Sequence, residues 1–192
     1  ASFDMVKILE VSKNVNSRYT AEEVYDASLV WANEFDKELA DMLADKEYAL
    51  KVLGIERGNA KPRKDIAKWS DVKNIIYYMY PEKFDKNGEF EYQKVTDLNE
   101  INEIVKTYFE KYYDENDDKQ TWFDKMKDLA EEMGYCREVK EYKENPDNYK
   151  GSIADVSNII RVGVTTKSQT PDLYIILNLL GKERIMNRIS NI

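Results

Sequence analysis

The sequence has no histidine and a single cysteine, Cys136, among its 192 residues. Without histidine it lacks the commonest general base and cannot form the Ser-His or Cys-His pairs of nucleophilic catalysis. One cysteine excludes an internal disulfide, and the missing histidine also excludes a zinc site of the usual Cys/His kind. A glycine-rich phosphate-binding loop is absent as well. These absences argue against an independent enzyme of the common hydrolytic or nucleotide-binding kinds.

Glycine and proline are scarce, with 7 and 4 residues, which favours helices over sheets. No stretch approaches the roughly 18 consecutive apolar residues of a membrane span. The first residues, ASFDMVKILEV, do not have the basic and then apolar pattern of a signal peptide. Hydrophobic residues nevertheless make up 42% of the chain, enough for a real core. We therefore expect a helical, cytoplasmic protein.

The net charge of −8 is unevenly distributed. Residues 57–81 carry six basic and two acidic side chains, and residues 148–192 carry six and three. The remaining stretches, 1–56 and 82–147, are strongly acidic. Two basic islands in an acidic chain are candidate nucleic-acid contacts, whereas acidic helical faces would suit a basic protein partner.

The segment 151–192 contains the C-terminal basic island and is predicted to form three short helices. The first begins at Ser152, which can cap a backbone amide, with Asp155 near the positive helix end. Its apolar face has helical spacing and consists of Ile153, Val156, Ile160 and Val164. This spacing leaves Arg161 beside the apolar stripe.

The second helix of this segment is predicted to have Thr170 as its N-cap and Pro171 at its first helical position. Gly181 is expected to end it. Its core face consists of Leu173, Ile176, Leu177 and Leu180. The third helix, 182–189, is expected to present Lys182, Arg184 and Arg188 opposite Ile185 and Ile189.

Arg161 and the start of this second helix form a candidate binding site. A helix N-terminus offers free amides to acceptor groups, and an arginine fork beside it can read a base edge or clamp a phosphate. The alternative is structural, because Thr-Pro-Asp also starts ordinary helices and an arginine near a helix C-terminus compensates the helix dipole.

The other basic island follows a helix predicted over 46–57 and ended by Gly58. A loop over 58–62 then brings Arg63 and Lys64 to the start of the next helix. Cations are unfavourable at a helix start, so we interpret Arg57, Arg63 and Lys64 as facing RNA; the alternative is a solvated cationic face. The tyrosines Tyr77, Tyr78 and Tyr80 are candidates for stacking on bases, or for the core.

Elsewhere the pattern predicts amphipathic helices separated by polar turns. A short helix is expected within 4–17, and a capping box at Thr20 and Glu23 opens a long helix that runs to Leu43. Further helices are predicted over 98–113 and 120–133. Residues 81–96 are the most irregular, with a small hairpin near 85–96 as an alternative.

The run IIRVGVTTKSQTPDLYIILNLLGKERIMNRI resembles the C-terminal anticodon-binding region of bacterial glutamate–tRNA ligases, which are class I aminoacyl-tRNA synthetases. A second match lies in residues 55–58 and 62–72. The resemblance implies an all-α fold, a helical bundle of two subdomains of the anticodon-binding α-helical cage type. These would be residues 1–150, with an N-terminal linker 1–19, and residues 151–192.

The resemblance further implies that the chain recognises the anticodon loop of glutamate-specific tRNA, as a monomer, with no membrane or DNA partner. The family attaches glutamate to tRNA with ATP, using His-Ile-Gly-His-like and Lys-Met-Ser-Lys-Ser-like signatures that do not occur here. We therefore expect a fragment cut from a longer protein, with no catalytic residue, metal or cofactor of its own. ATP and Mg²⁺ would bind the missing catalytic half.

Transferred residue by residue, the resemblance assigns an anticodon pocket to Arg161, Thr170, Pro171 and Leu173. A partner arginine is expected from the other subdomain, at Arg57 or Arg63. Compared with the family pattern, the chain is expected to carry extra residues through 82–120, a segment that bears on the angle between the subdomains. Two other hypotheses are an acidic helical protein-interaction module with no nucleic-acid role, and an enzyme using paired carboxylates, for which no shared cleft is indicated.

Overall fold

The computed structural model describes residues 4–85 and 87–189, and within these ranges the chain is helical and forms no strand. The all-α prediction is confirmed. The chain divides into two compact units, which we call unit 1, ending at Phe84, and unit 2, beginning at Asp85. None of the described helices is long and apolar enough to cross a membrane.

Over residues 4–84, unit 1 contains five α-helices and three short 3-10 turns. The helices are α1 (Met5–Asn16), α2 (Ala21–Phe35), α3 (Lys37–Met42), α4 (Lys46–Leu53) and α5 (Val72–Ile76). The turns are Trp69–Asp71, Tyr77–Met79 and Pro81–Lys83. The core of the unit is built mainly from apolar side chains of α2 to α5, including Val24, Leu39, Val52 and Ile76, together with Leu43, which directly follows α3.

The predicted long helix up to Leu43 is two helices. It begins as expected, because the Glu23 amide donates to Thr20 Oγ1 at 3.1 Å and the Thr20 amide donates to the Glu23 carboxylate at 2.8 Å. It breaks at Asp36, whose carboxylate accepts a hydrogen bond from the Leu39 amide at 3.1 Å and starts α3. The same carboxylate pairs with Lys73 at 2.6 Å. Asp36 therefore caps a new helix instead of continuing the old one.

The predictions for the segment after α4 are wrong in two respects. The helix ends at Leu53 and not at Arg57, and Glu56 has a left-handed φ of 53° that a helix cannot continue through. Arg63 and Lys64 do not start a helix, since residues 62–66 are irregular and helical structure resumes at Trp69. Their positive charges therefore do not oppose a helix dipole.

Unit 2 is built around α9. Its elements are α6 (Leu98–Thr107) with a π-helical extension Tyr108–Tyr112, α7 (Lys119–Glu132), α8 (Val139–Glu144), the 3-10 turn Pro146–Asn148, α9 (Ile153–Thr165) and α10 (Leu173–Ile189). Helix α9 packs against α6, α7 and α10. Gly181, with φ 72° and ψ 163°, interrupts α10 and separates the two helices predicted there.

The alternative of a small hairpin near 85–96 is wrong for the described residues of that segment, which contain no strand. The Glu91 amide donates to the Thr166 carbonyl at 3.0 Å, after the end of α9. The Tyr92 amide donates locally to the Phe90 carbonyl at 2.9 Å. These backbone groups are thus used in contacts other than a strand ladder.

The predicted subdomain boundary at residue 150 lies inside unit 2. The Cys136 amide donates to the Gly151 carbonyl at 2.9 Å, and the Ile153 amide donates to the Cys136 carbonyl at 2.8 Å. These two bonds join the segments on either side of residue 150. The division into 1–150 and 151–192 stays a prediction.

Candidate nucleic-acid interface

The guanidinium of Arg161, near the end of α9, contacts the loop that leads to α10. We call residues 166–172 the connector loop. Arg161 Nη1 donates to the Pro171 carbonyl at 2.7 Å, to the Thr170 carbonyl at 3.2 Å, and to the Thr170 hydroxyl. Three of the four residues predicted for a pocket therefore lie together, and Arg161, Thr170 and Pro171 are all partly exposed.

Thr170 is not the N-cap of α10, and Pro171 is not in its first turn. The Ile175 amide donates to the Asp172 carboxylate at 3.3 Å, and the Ile176 amide donates to the Asp172 carbonyl at 3.1 Å, so Asp172 precedes the helix that begins at Leu173. The Thr170 hydroxyl contacts Arg161 and donates to the Pro171 carbonyl at 3.0 Å. Thr170 and Pro171 therefore belong to the connector loop.

Leu173, the fourth predicted pocket residue, is a core side chain with 3% of its surface exposed. It lies at the first position of α10. Leu173 anchors the end of the connector loop in the apolar interior, and its side chain does not reach the surface in this structure.

Glu91 and Asn158 hold the other half of the connector loop. The Glu91 carboxylate accepts hydrogen bonds from the Lys167 ammonium at 2.7 Å and from the Ser168 amide at 3.0 Å. The Lys167 hydrogen bond, and then the Ser168 amide, lower the pKa of Glu91 below its ordinary value. Asn158 Nδ2 donates to the Ser168 carbonyl at 2.9 Å. Sequence reasoning missed both residues, because Glu91 is far away in the chain and Asn158 carries no motif.

Arg188 is a buried residue that binds the end of α9, where the connector loop begins. Its guanidinium donates to the Val164 carbonyl at 2.6 Å, in the last turn of α9, and the residue is only 3% exposed. The prediction that Arg188 would lie on the exposed side of the last helix is therefore wrong. A buried arginine compensates the negative end of α9 and fixes where the connector loop starts.

In unit 1, Arg57 is a half-buried residue that binds backbone carbonyls. Its guanidinium donates to the carbonyls of Asn16 at 2.8 Å, Tyr19 at 3.3 Å and Leu53 at 3.2 Å. Burial lowers the pKa of Arg57 from its ordinary value. Arg57 thereby ties the end of α4 to the turn between α1 and α2.

Arg63 and Lys64 have different surroundings although they are adjacent. Arg63 forms an ion pair with Asp65, and its Nε donates to that carboxylate at 2.7 Å; 11% of the Arg63 side chain is exposed. Lys64 is exposed and forms no ion pair with any described residue of the chain. Of the three basic residues predicted to face RNA in this unit, Lys64 presents its charge most openly.

The tyrosine cluster belongs mainly to the core. Tyr78 and Tyr80 are 4% and 5% exposed, so they cannot stack on bases in this structure. The Tyr80 ring meets Tyr48 edge to face at 5.4 Å, and burial raises the pKa of Tyr80. Tyr77 is half-buried, with its ring against Tyr78.

The family described as anticodon binding domain matches residues 30–192, and the chain belongs to this family. Its membership favours a nucleic-acid function over an acidic protein-interaction module. Among individual proteins, the chain is 43% identical to the glutamate–tRNA ligase of Clostridium perfringens (strain 13 / Type A) over 98% of its own length and 35% of that protein.

Two further relatives carry the same name. The chain is 40% identical to the glutamate–tRNA ligase of Acetivibrio thermocellus, over 100% of its length and 35% of that protein. It is 37% identical to that of Sorangium cellulosum, over 97% of its length and 33% of that protein. The chain thus spans about a third of the length of these relatives. No solved structure matches it.

Proposed function

We propose that this chain is the anticodon-binding part of a glutamate–tRNA ligase and that the connector loop of unit 2 recognises the anticodon. The observation that carries the proposal is that a partly exposed arginine, in a chain of the anticodon binding domain family, is oriented by Thr170 and Pro171. Proteins read single-stranded RNA loops through arginine forks and backbone groups that meet splayed-out bases.

The mechanism rests on a loop that is ordered before RNA arrives. Arg161, Asn158 and Glu91 each bind the connector loop, and Leu173 anchors its end in the core. A rigid loop loses little conformational entropy on binding, so more of the contact energy is available to discriminate between bases. Arg161 and the groups at Thr170 and Pro171 would then meet the base edges directly.

In the proposed whole protein, glutamate would be joined to tRNA by a catalytic part outside this chain. ATP and Mg²⁺ would bind there, and the present chain would contribute by accepting or rejecting the anticodon. The partner would be glutamate-specific tRNA, bound by a monomer in the cytoplasm. The identities of 37% to 43% with three proteins called glutamate–tRNA ligase support this assignment.

The test is a binding titration with a glutamate-tRNA anticodon stem–loop and a scrambled-loop control, at low and moderate salt. Wild type should prefer the true loop. Arg161→Ala should reduce that preference by about tenfold, since one good arginine contact to a base gives roughly 1–3 kcal/mol of discrimination.

A matched control is Arg184→Ala, because Arg184 lies in α10 beyond Gly181 and outside the connector loop. It should keep the preference of the wild type. Equal affinity of wild type for both loops would contradict the proposed function. An unchanged preference in Arg161→Ala would contradict the role given to Arg161.

A further inference from the structure

The turn between α1 and α2 lies against the segment that precedes α5, within unit 1. Asn16 Nδ2 donates to the Ile66 carbonyl at 3.0 Å. The rings of Tyr19 and Trp69 are stacked, with centroids 6.3 Å apart and 19° between their planes. Arg18 and Lys68 are the chain neighbours of these two rings. The contact therefore brings two cations from distant parts of the sequence to one place.

Internal contacts hold this place in a fixed conformation. Arg57 binds the carbonyls of Asn16 and Tyr19 from the side of α4. The Arg63 amide donates to the Glu56 carbonyl at 3.1 Å, and the Arg63 guanidinium pairs with Asp65. Arg57 and Arg63 thus act as positioning residues that stabilise the turn and the loop with their side chains directed inward.

Both acidic side chains of residues 57–71 have internal partners. Asp65 pairs with Arg63. The Asp71 carboxylate accepts the Ala67 amide at 3.0 Å and the Lys68 amide at 3.1 Å. In contrast, four basic side chains in and beside this segment are exposed and form no ion pair with any described residue; they are Arg18, Lys61, Lys64 and Lys68. The result is a set of uncompensated cations on an acidic protein.

We propose that Arg18, Lys61, Lys64 and Lys68 form a phosphate-contacting surface for the backbone of tRNA, distinct from the residues that read the anticodon. We call this set the basic surface. Exposed, flexible cations without a pocket suit a series of phosphates, which fix the position of a nucleic acid without reading its sequence. The inference rests on the proposed function, because that function supplies an RNA partner.

An acidic protein is the other polyanion to consider. Stable protein interfaces are centred on buried aromatic or aliphatic anchors, surrounded by charge. The described residues of the 58–68 stretch present no large exposed apolar side chain, since Ile66 is only 2% exposed. Helix α1, which precedes Arg18, does expose apolar side chains, Val15 among them at 46%. The stretch that carries Lys61, Lys64 and Lys68 has no such anchor, so these three lysines fit an RNA backbone better than a protein partner.

The test compares the wild type with the triple variant Arg18→Gln, Lys64→Gln, Lys68→Gln. For each protein, the affinity is measured for a glutamate tRNA and for the same tRNA with an exchanged anticodon, over a range of salt concentrations. The variant should lose affinity for both tRNAs by the same factor. Its plot of log affinity against log salt should be shallower by about 2 to 3, because each phosphate contact contributes roughly 0.7–0.9 to the slope. The ratio between the two tRNAs should not change.

A matched control is Lys37→Gln, Lys140→Gln, Lys143→Gln, which removes the same charge from exposed lysines outside the basic surface. Circular dichroism of all variants verifies that each is folded. A salt slope that is unchanged in the first variant, or reduced equally in the control, would overturn the inference. If wild type binds both tRNAs equally, the proposed anticodon reading fails, whereas loss of that shared affinity in the first variant would still support the basic surface.

Discussion

At the scale of the single residue, Arg161 has two roles. It binds the connector loop, and we propose that it reads RNA together with that loop. Its Nη1 group reaches two backbone carbonyls and one hydroxyl of the connector loop. A planar guanidinium keeps these directions fixed, and a lysine at this position would offer a point charge without a fork. The same arginine therefore orders Thr170 and Pro171 while it stays partly exposed beside the connector loop.

Glu91 offers a pH-dependent test of how the connector loop is held. Its pKa is lowered by Lys167 and the Ser168 amide, so its contribution to stability is present above the ordinary carboxyl value of 4.5 and is lost as pH falls through the lower folded value. At pH 7, Glu91→Gln should reduce the free energy of unfolding by less than about 1 kcal/mol, because the pair is partly exposed.

Thermal unfolding at pH 7 and at pH 3 measures this difference, which should shrink in acid. Glu89→Gln is the control, since Glu89 is exposed and forms no ion pair with any described residue. Equal destabilisation by Glu91→Gln at both pH values would argue against the carboxylate as the group that holds the loop.

At this scale, the sequence could predict contacts between residues that are close along the chain. Arg161, Thr170 and Pro171 are separated by ten residues at most, and the structure brings them into contact; that they form an anticodon pocket stays a prediction. Glu91 is 77 residues from Ser168, and Arg188 is 24 residues from Val164. Contacts of this length depend on how helices pack, which no local pattern specifies.

At the scale of the element, local capping chemistry predicted helix starts better than helix ends. The capping box at Thr20 is found where expected, because a cap acts within one turn. At Ser152 the helix also starts as expected, with the Ser152 amide donating to the Asp155 carboxylate at 2.9 Å. The break at Asp36 escaped prediction although its cap is local, with the Leu39 amide three residues on; the accompanying ion pair with Lys73 of α5 cannot be read from a local pattern. The early end of α4 likewise leaves Arg57 to bind the turn between α1 and α2.

Gly181 allows a direct test of the interruption in α10. Its φ of 72° and ψ of 163° fall in a region that is essentially restricted to glycine. An added Cβ would meet nothing within 4 Å, so the cost of Gly181→Ala is backbone strain rather than a clash. We expect the free energy of unfolding to fall by about 1–3 kcal/mol.

Urea denaturation followed by circular dichroism measures that loss. Asn178→Ala, at an exposed position of the same helix, should change stability by less than about 0.5 kcal/mol. If Gly181→Ala unfolds at the same urea concentration as the wild type, α10 can run straight through residue 181 and the interruption has no energetic basis.

At the scale of the whole molecule, the scarcity of glycine and proline and the spacing of apolar residues were enough to predict an all-α protein. The charge distribution identified the segments that hold the connector loop, Lys61, Lys64 and Lys68, but not Arg18, which lies in an acidic stretch. Composition could not separate Lys64, with its exposed charge, from Arg63, which pairs with Asp65. That distinction depends on the three-dimensional surroundings of each charge.

The chain has no histidine, the side chain whose ordinary pKa lies nearest to neutrality. Among the described residues, every carboxyl group with a shifted pKa has it lowered, and every tyrosine with a shifted pKa has it raised. None of these groups therefore changes charge between about pH 6 and 7.5. We expect the affinity of wild type for tRNA to be constant over that range.

Because the affinity of the wild type is expected not to change with pH, the variant Lys64→His can test whether Lys64 of the basic surface contacts RNA. An exposed imidazole has a pKa of about 6.5, so the variant carries the charge at pH 5.5 and has lost most of it at pH 7.5. Its affinity for tRNA should match wild type at the lower pH and fall as pH rises, and its salt slope should decrease by about one over the same interval. Lys37→His, at an exposed position outside the basic surface, should stay constant like the wild type. Identical pH profiles for the two histidine variants would mean that Lys64 does not contact phosphate, because a charge near RNA must change the affinity when it titrates.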